Sequence, residues 1–174
     1  MPTIIYTIGH STRTLDEFVE ILQAHAIALL VDIRTIPKSR HNPQFNKDNL
    51  TRDLPRKGIA YLHLPDLGGL RKAQKNSVNA GWRNASFRGF ADYMQTRAFV
   101  SALRRLMQLG KSRRLALMCA EGNPFRCHRS LVADALTVRK VHVLHISSRT
   151  SARAHTMTKF ARIDGTRITY PPPG

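Results

Sequence analysis

The apolar positions of the chain switch repeatedly between two spacings, and the switching predicts strands and helices in turn. Leu115–Met118 is a short unbroken apolar run, which suits a buried strand. Cys119 to Pro124 interrupts it with Gly, Asn and Pro, the composition of a loop. Leu131, Val132, Ala135 and Leu136 then recur at helical spacing. Leu115–Leu136 therefore reads as strand, tight loop, helix. The N-terminal half repeats this succession. Thr3–Ile8, rich in β-branched residues, predicts a first strand. Thr14 and Glu17 form a capping box before a helix face of Leu15, Phe18, Val19 and Leu22. Ile27–Ile33 is continuously apolar, as in a strand buried on both faces of a parallel sheet. Asn46 predicts the N-cap of a helix carrying Leu50 and Leu54, closed by Gly58. Ile59–Leu64 predicts a third strand.

Beyond it, Arg71–Asn84 has no periodicity and predicts a long, mobile surface loop with a basic rim. Phe87, Phe90, Tyr93 and Met94 predict one helix, and Phe99, Leu103, Leu106 and Met107 another that stops at Gly110. Val141–Ile146 predicts the last parallel strand. Asp164-Gly165 between two mixed runs predicts a hairpin. Pro171-Pro172-Pro173-Gly174 cannot continue a ladder and should fray. The expected fold is a three-layer α/β domain, a mostly parallel sheet flanked by helices, with a short C-terminal hairpin or tail. Residues 1–146 form the domain and 147–174 a C-terminal extension.

This fold class directs attention to the carboxyl ends of the strands, where open parallel sheets bind ligands. His10 follows the first predicted strand, Asp32 and Arg34 the second, Asp66 the third, and Cys119 and Glu121 the fourth. His145 lies on the last. Cys119 is a candidate nucleophile, with Arg126, His128, Arg129 and a helix N-terminus as sources of positive potential. Glu121 and His10 are candidate proton carriers. Arg34, Arg40, Arg71, Arg126 and Arg129 are candidate anion ligands, with Asp32, Cys127 and His128 lining the same site. The Cys119-x6-Arg126 loop resembles the phosphate-binding Cys-x5-Arg loop of cysteine phosphatases and rhodaneses, but it is one residue longer. Each residue also has a structural reading. Cys119 would be a small buried residue, His10 a helix cap, Asp32 half of an ion pair, and Arg40 and Arg71 solvated surface.

Charge and cysteine count narrow the function. Lys and Arg number 28 against 11 Asp and Glu, a net charge of +17. That points to a phosphorylated small molecule or a nucleic acid as partner. Two cysteines, both in one motif, argue for chemistry rather than a disulfide scaffold. A reversible disulfide and a zinc site on Cys119, Cys127, His128 and His10 are open, but the spacing is not a usual zinc pair, so no cofactor is expected. The N-terminus has no basic and apolar leader pattern, and no apolar run reaches membrane-spanning length. The expected location is the cytoplasm.

Taken together, Tyr6-Thr7-Ile8-Gly9-His10-Ser11, Val31-Asp32-Ile33-Arg34 with Pro37, Ser39 and Arg40, Leu67-Gly68-Gly69, and Cys119-Ala120-Glu121 followed by Cys127-His128-Arg129 resemble the domain-of-unknown-function 488 family. The resemblance spans roughly residues 3–146. It implies a compact α/β domain, bacterial and cytoplasmic, whose Cys-Glu and Cys-His-Arg residues catalyse or bind; it implies no settled activity. The leading expectation is an enzyme of the cysteine-dependent kind: a hydrolase, transferase or redox enzyme acting on a phosphorylated or nucleic-acid-derived substrate. The alternative is a nucleic-acid-binding module with structural cysteines.

Overall fold

The computed structural model describes residues 2–173. Strands β1 (Ile4–Gly9), β2 (Leu29–Asp32), β3 (Ala60–His63), β4 (Leu115–Cys119), β5 (His142–Ser148) and β6 (Ser151–Ala154) form one sheet in the order β3-β2-β4-β1-β5-β6. The first five are parallel, and β6 runs antiparallel to β5 at the edge. Successive strand residues face opposite sides of a sheet. Here Tyr6, Leu30, Ala116 and Met118 face helices α1 (Leu15–Ala24) and α2 (Lys47–Arg56). Ile5, Leu29, Val31, Leu115 and Leu117 face α3 (Ala85–Tyr93), α4 (Arg97–Ser112) and α5 (Arg129–Thr137). The protein is thus the three-layer α/β fold that the alternation predicts, with a C-terminal antiparallel hairpin, β7 (Arg162–Asp164) and β8 (Arg167–Thr169).

Local chemistry sets most boundaries. Thr14 and Glu17 make the reciprocal capping box at the start of α1. Asn46 does occupy the N-cap of α2, but its side chain caps nothing there. Its Oδ1 instead accepts from Ser39 N at 2.7 Å, tying the loop after β2 to the helix. Helix α4 runs past Gly110 to Ser112 because Arg113 turns directly into extended backbone leading to β4, so no left-handed cap is required.

Two segments are better anchored than their sequences suggest. Residues 71–84 lack regular structure, yet the buried Asp92 of α3 accepts from Gln74 N, Ser77 Oγ and Asn79 Nδ2 at 2.8, 2.5 and 2.7 Å. Trp82 packs against Phe87, Phe160 and Tyr170. The expected mobile basic loop is therefore a pinned one. The second segment is the C-terminal extension. β6 widens the main sheet, and Gly165 takes a positive φ of 64° in the tight turn between β7 and β8. Tyr170 is fully buried, donating its N–H to Asn79 Oδ1 and its hydroxyl to Asp134 Oδ2. This covering explains why α5 is buried from Arg129 through Leu136. Pro171, Pro172 and Pro173 join no ladder, and Gly174 lies outside the described residues. Among the described residues no helix is long and apolar enough to cross a membrane.

If the extension is integral, Tyr170→Ala should destabilise the protein by about 3–5 kcal/mol, the usual cost of deleting a buried aromatic. Chemical denaturation measures this. A loss below about 0.5 kcal/mol, as for a surface position, would mean that the extension is a dispensable tail.

Candidate functional site

Strand register builds the site. The β1–β4 ladder pairs Gly9 with Cys119, and beyond it His10 N donates to Cys119 O at 2.9 Å. The loop after β4 then folds onto the end of β1. A Cβ on Gly9 would lie 1.8 Å from Glu121 O, so only glycine permits this approach. On the other side of β4, Ile33 N donates to Met118 O at 3.0 Å, which brings the end of β2 alongside. A cavity of about 400 Å³ opens over these three strand ends, the position where parallel sheets bind ligands. His10, Arg34, Cys119 and Cys127 line its depth; Ile36, Leu70 and Phe87 give it an apolar wall; Lys38, Glu121 and Arg126 stand at its mouth.

Cys119 is almost fully buried and lies against Arg129, itself fully buried. The guanidinium donates to Cys119 Sγ at 2.6 Å, Thr7 Oγ1 at 3.1 Å, Glu121 O at 2.5 Å and Gly122 O at 3.1 Å. Among the described residues, the ion pairs join Arg34 to Asp32, Arg52 to Asp53 and Arg149 to Glu20, and Asp134 is hydrogen-bonded to His155; no carboxylate pairs with Arg129. A buried guanidinium needs an opposite charge, and the sulfur in contact with it can supply one. Burial alone would push the Cys119 thiol up. The neighbouring Cys127 thiol and the Arg129 charge outweigh it and lower Cys119 to about 7, while Cys127 is raised because its partner takes the charge. Arg129 thus lies behind the cavity, against the sulfur, and does not line its surface.

His10 has a free nitrogen. Its Nδ1 lies 2.7 Å from Ser11 O, which can only accept, so Nδ1 carries hydrogen. Burial, aided by the Arg34 charge, lowers its pKa, so the ring is neutral and Nε2 presents a lone pair. That Nε2 is buried and has no protein partner. The ring stacks on Phe45 at 4.4 Å, which fixes its plane. Arg34 is the second incompletely bonded group. Its Nε and Nη2 form a two-pronged ion pair with Asp32 at 2.9 and 2.7 Å, and Nη2 also donates to Phe45 O. Tyr61, held protonated by burial and by the carboxylate, donates to Asp32 Oδ2 at 2.5 Å. Among the described residues Arg34 Nη1 is buried with no partner. Asp32 therefore anchors Arg34, which keeps one donor unpaired.

His128 serves the cavity wall. Its Nε2 faces the carbonyls of Ile33 and Leu67 at 3.2 and 3.0 Å, and burial lowers its pKa to about 4. Gly69 makes room for the ring, since a Cβ there would lie 2.6 Å from Nδ1. The start of α5 offers no open anion site. Arg129 N points at Cys127 Sγ, and Ser130 N and Leu131 N bond within the turn. Arg40 is exposed and does not line the cavity. Arg71 stacks on Tyr93 and donates to Gly68 O and Pro65 O, outside the cavity. The Glu121 carboxylate accepts from Asn123 N on the exposed rim. Four participants escaped the sequence reading, Thr7, Phe45, Asp134 and His155. Thr7 sat inside a predicted strand, Asp134 inside the predicted helix ending at Leu136, and His155 outside every motif. Among the described residues no cluster of three or more His, Cys, Asp and Glu is arranged to hold a metal ion.

Comparison with known families covers the motifs from Val31 through Arg129 but not Tyr6–Ser11. The family model described as domain of unknown function DUF488 matches residues 14–136. The chain belongs to the DUF488 family. No curated protein and no solved structure gives a significant match. The family match begins after His10 and ends before His145, so this DUF488 protein draws Thr7, His10, His145 and His155 from outside it.

The Gly9 contact is directly testable. Gly9→Ala should force the 120–122 loop away from β1, costing about 2–3 kcal/mol as an overpacking change. It should also slow alkylation of Cys119 at fixed pH, because Glu121 O and Gly122 O would no longer hold Arg129 on the sulfur. Native stability together with native alkylation would show that the close approach does not shape the site.

Proposed function

We propose that the protein is a cysteine-dependent enzyme, a hydrolase or transferase, acting on a phosphorylated, nucleotide-derived small molecule. The observation that carries this reading is the buried contact between Cys119 and the Arg129 guanidinium, which has no carboxylate partner. Such a contact yields a nucleophile near neutral pH without a separate base. His10 is then free for a different proton. In the first step the Cys119 sulfur bonds to the substrate's electrophilic centre, and the leaving group departs with its electron pair. In the second, water or an acceptor hydroxyl attacks, the bond to sulfur breaks, and His10 Nε2 takes the attacking group's proton. Arg34 Nη1 donates to an oxygen of the reacting group. The Arg34–Asp32 pair is neutral overall, so the interior suits a polar but not strongly anionic group. The substrate phosphate belongs at the mouth, with Lys38 and Arg126, and Ile36, Leu70 and Phe87 suit a flat apolar ring.

The test is protection of Cys119. A panel of nucleoside 5′-monophosphates should include members that slow iodoacetamide labelling of Cys119 at least fivefold at saturation. Combining Lys38→Ala with Arg126→Ala should abolish the protection. If no member protects, and nucleic acid binds with a steep salt dependence that Cys119→Ser leaves unchanged, the chain is a nucleic-acid-binding module instead.

A further inference from the structure

A hydrogen-bonded chain runs from the C-terminal segment to the back of the Arg129 guanidinium. Asp134 Oδ1 lies 2.7 Å from His155 Nε2, His155 Nδ1 lies 2.8 Å from His145 Nε2, and His145 Nδ1 lies 2.5 Å from Thr7 Oγ1. Thr7 Oγ1 in turn accepts from Arg129 Nε at 3.1 Å, and Arg129 Nη1 reaches Cys119 Sγ. We propose that Thr7, His145 and His155, anchored on Asp134, are positioning residues that hold the Arg129 guanidinium on the Cys119 sulfur. The segment after β5 then forms part of the site. The proposal rests on the reading of Cys119 as the nucleophile.

The bonding pattern has one direction. Asp134 is fully buried and accepts from four donors: His155 Nε2, Thr158 N, Thr158 Oγ1 and Tyr170 OH. His155 Nε2 therefore carries hydrogen. At the other end Thr7 Oγ1 already accepts from Arg129 Nε and turns its own hydrogen to His145 Nδ1, which leaves His145 Nε2 to donate to His155 Nδ1. Burial first, then the neighbouring His155 and Arg129, lower the His145 pKa to about 3 and keep that ring neutral. Thr7 supplies the remaining hydrogen to His145 Nδ1, so the oxygen lone pairs turn toward Arg129 Nε. With His145 reversed, the Thr7 hydroxyl hydrogen would have no partner in the chain. Phe125, from the loop after β4, stacks on His155 and edges against His145, closing the chain from that side.

The arrangement matters because a guanidinium can stabilise the sulfur's charge only while its fork is aimed at it. Glu121 O and Gly122 O fix the fork from the loop side, and Thr7 fixes it from the strand side. The charged and titratable groups around Cys119 come from every neighbouring element. These are Arg129 from α5, Cys127 and Arg126 from the turn before it, and Glu121 from the loop after β4. His10 comes from the end of β1, and Arg34 with Asp32 and Lys38 from the end of β2 and the loop beyond. The chain touches this set only through Arg129, so its removal should move the sulfur's titration and leave the cavity lining in place.

The experiment follows iodoacetamide labelling of Cys119 against pH in the full-length protein, resolved from Cys127 by peptide mass spectrometry. No substrate is needed. Thr7→Val removes the hydroxyl at constant shape and should raise the labelling midpoint by at least half a pH unit, about a threefold loss of thiolate below the midpoint. Thr7→Ser should restore it. His145→Asn should give a shift in the same direction, and the double variant with Thr7→Val no further shift, since both act through one link. Thermal unfolding identifies a variant that fails to fold; in that case His155→Asn, outside the sheet interior, carries the same expectation. An unchanged midpoint in a folded Thr7→Val or His155→Asn protein overturns the positioning role and leaves the nucleophile reading intact. A wild-type midpoint at the value of an ordinary thiol overturns both.

Discussion

Arg129 is a fully buried cation without a carboxylate partner among the described residues, and the rest of the site is arranged around that constraint. Taking a guanidinium out of water is costly unless its donors and its charge are both met. Backbone carbonyls of Glu121 and Gly122 and the Thr7 hydroxyl satisfy donors, but none of them carries charge. Cys119 is the group in contact that can become an anion. The requirement works in both directions: the cation favours the thiolate, and the thiolate makes burial of the cation tolerable.

The fold supplies this contact through elements distant in sequence. β4 delivers Cys119, α5 delivers Arg129, and the intervening loop turns its carbonyls inward toward the guanidinium. A loop that presents carbonyls to a buried arginine differs in kind from one that presents N–H groups to a phosphate, despite the similar Cys-to-Arg spacing. The glycine at the end of β1 lets that loop lie against the strand, and the ladder beside it sets His10 and Cys119 in the lining of one cavity. The parallel arrangement of β1, β2 and β4 thus brings together the Cys119 sulfur, an imidazole lone pair and a guanidinium donor from three separate stretches of chain.

Much of this was legible in the sequence. Unbroken apolar runs marked β2 and β4 as buried on both faces, and the capping box marked α1. Residues expected at the strand ends, His10, Arg34 and Cys119, do line one cavity, where ligands bind in this fold class. What could not be read were properties set by tertiary partners. Asn46 stands at a helix start, but whether its side chain caps the helix depends on how near Ser39 N comes. Arg129 reads as a surface anion ligand until the C-terminal segment covers α5. Residues 71–84 read as mobile because nothing local shows that Asp92, in a later helix, accepts three of their hydrogen bonds. Thr7, Asp134 and His155 lie far apart in the chain, and only the docking of the extension joins them.

The central claim is that Cys119 ionises near neutral pH, helped by the Cys127 thiol and with Arg129 as its counter-ion. Thiolate absorbance in the ultraviolet, titrated in the wild-type protein and in Cys119→Ser, measures this without any ligand. The account predicts a single-thiolate step with a midpoint near 7 in the wild type, absent from Cys119→Ser, with Cys127 ionising only at much higher pH. Arg129→Lys should move the step upward, because an ammonium keeps the charge but loses the fork that aims it. Two thiols titrating together at or above about 8.5, the range of an unperturbed cysteine, would contradict the account.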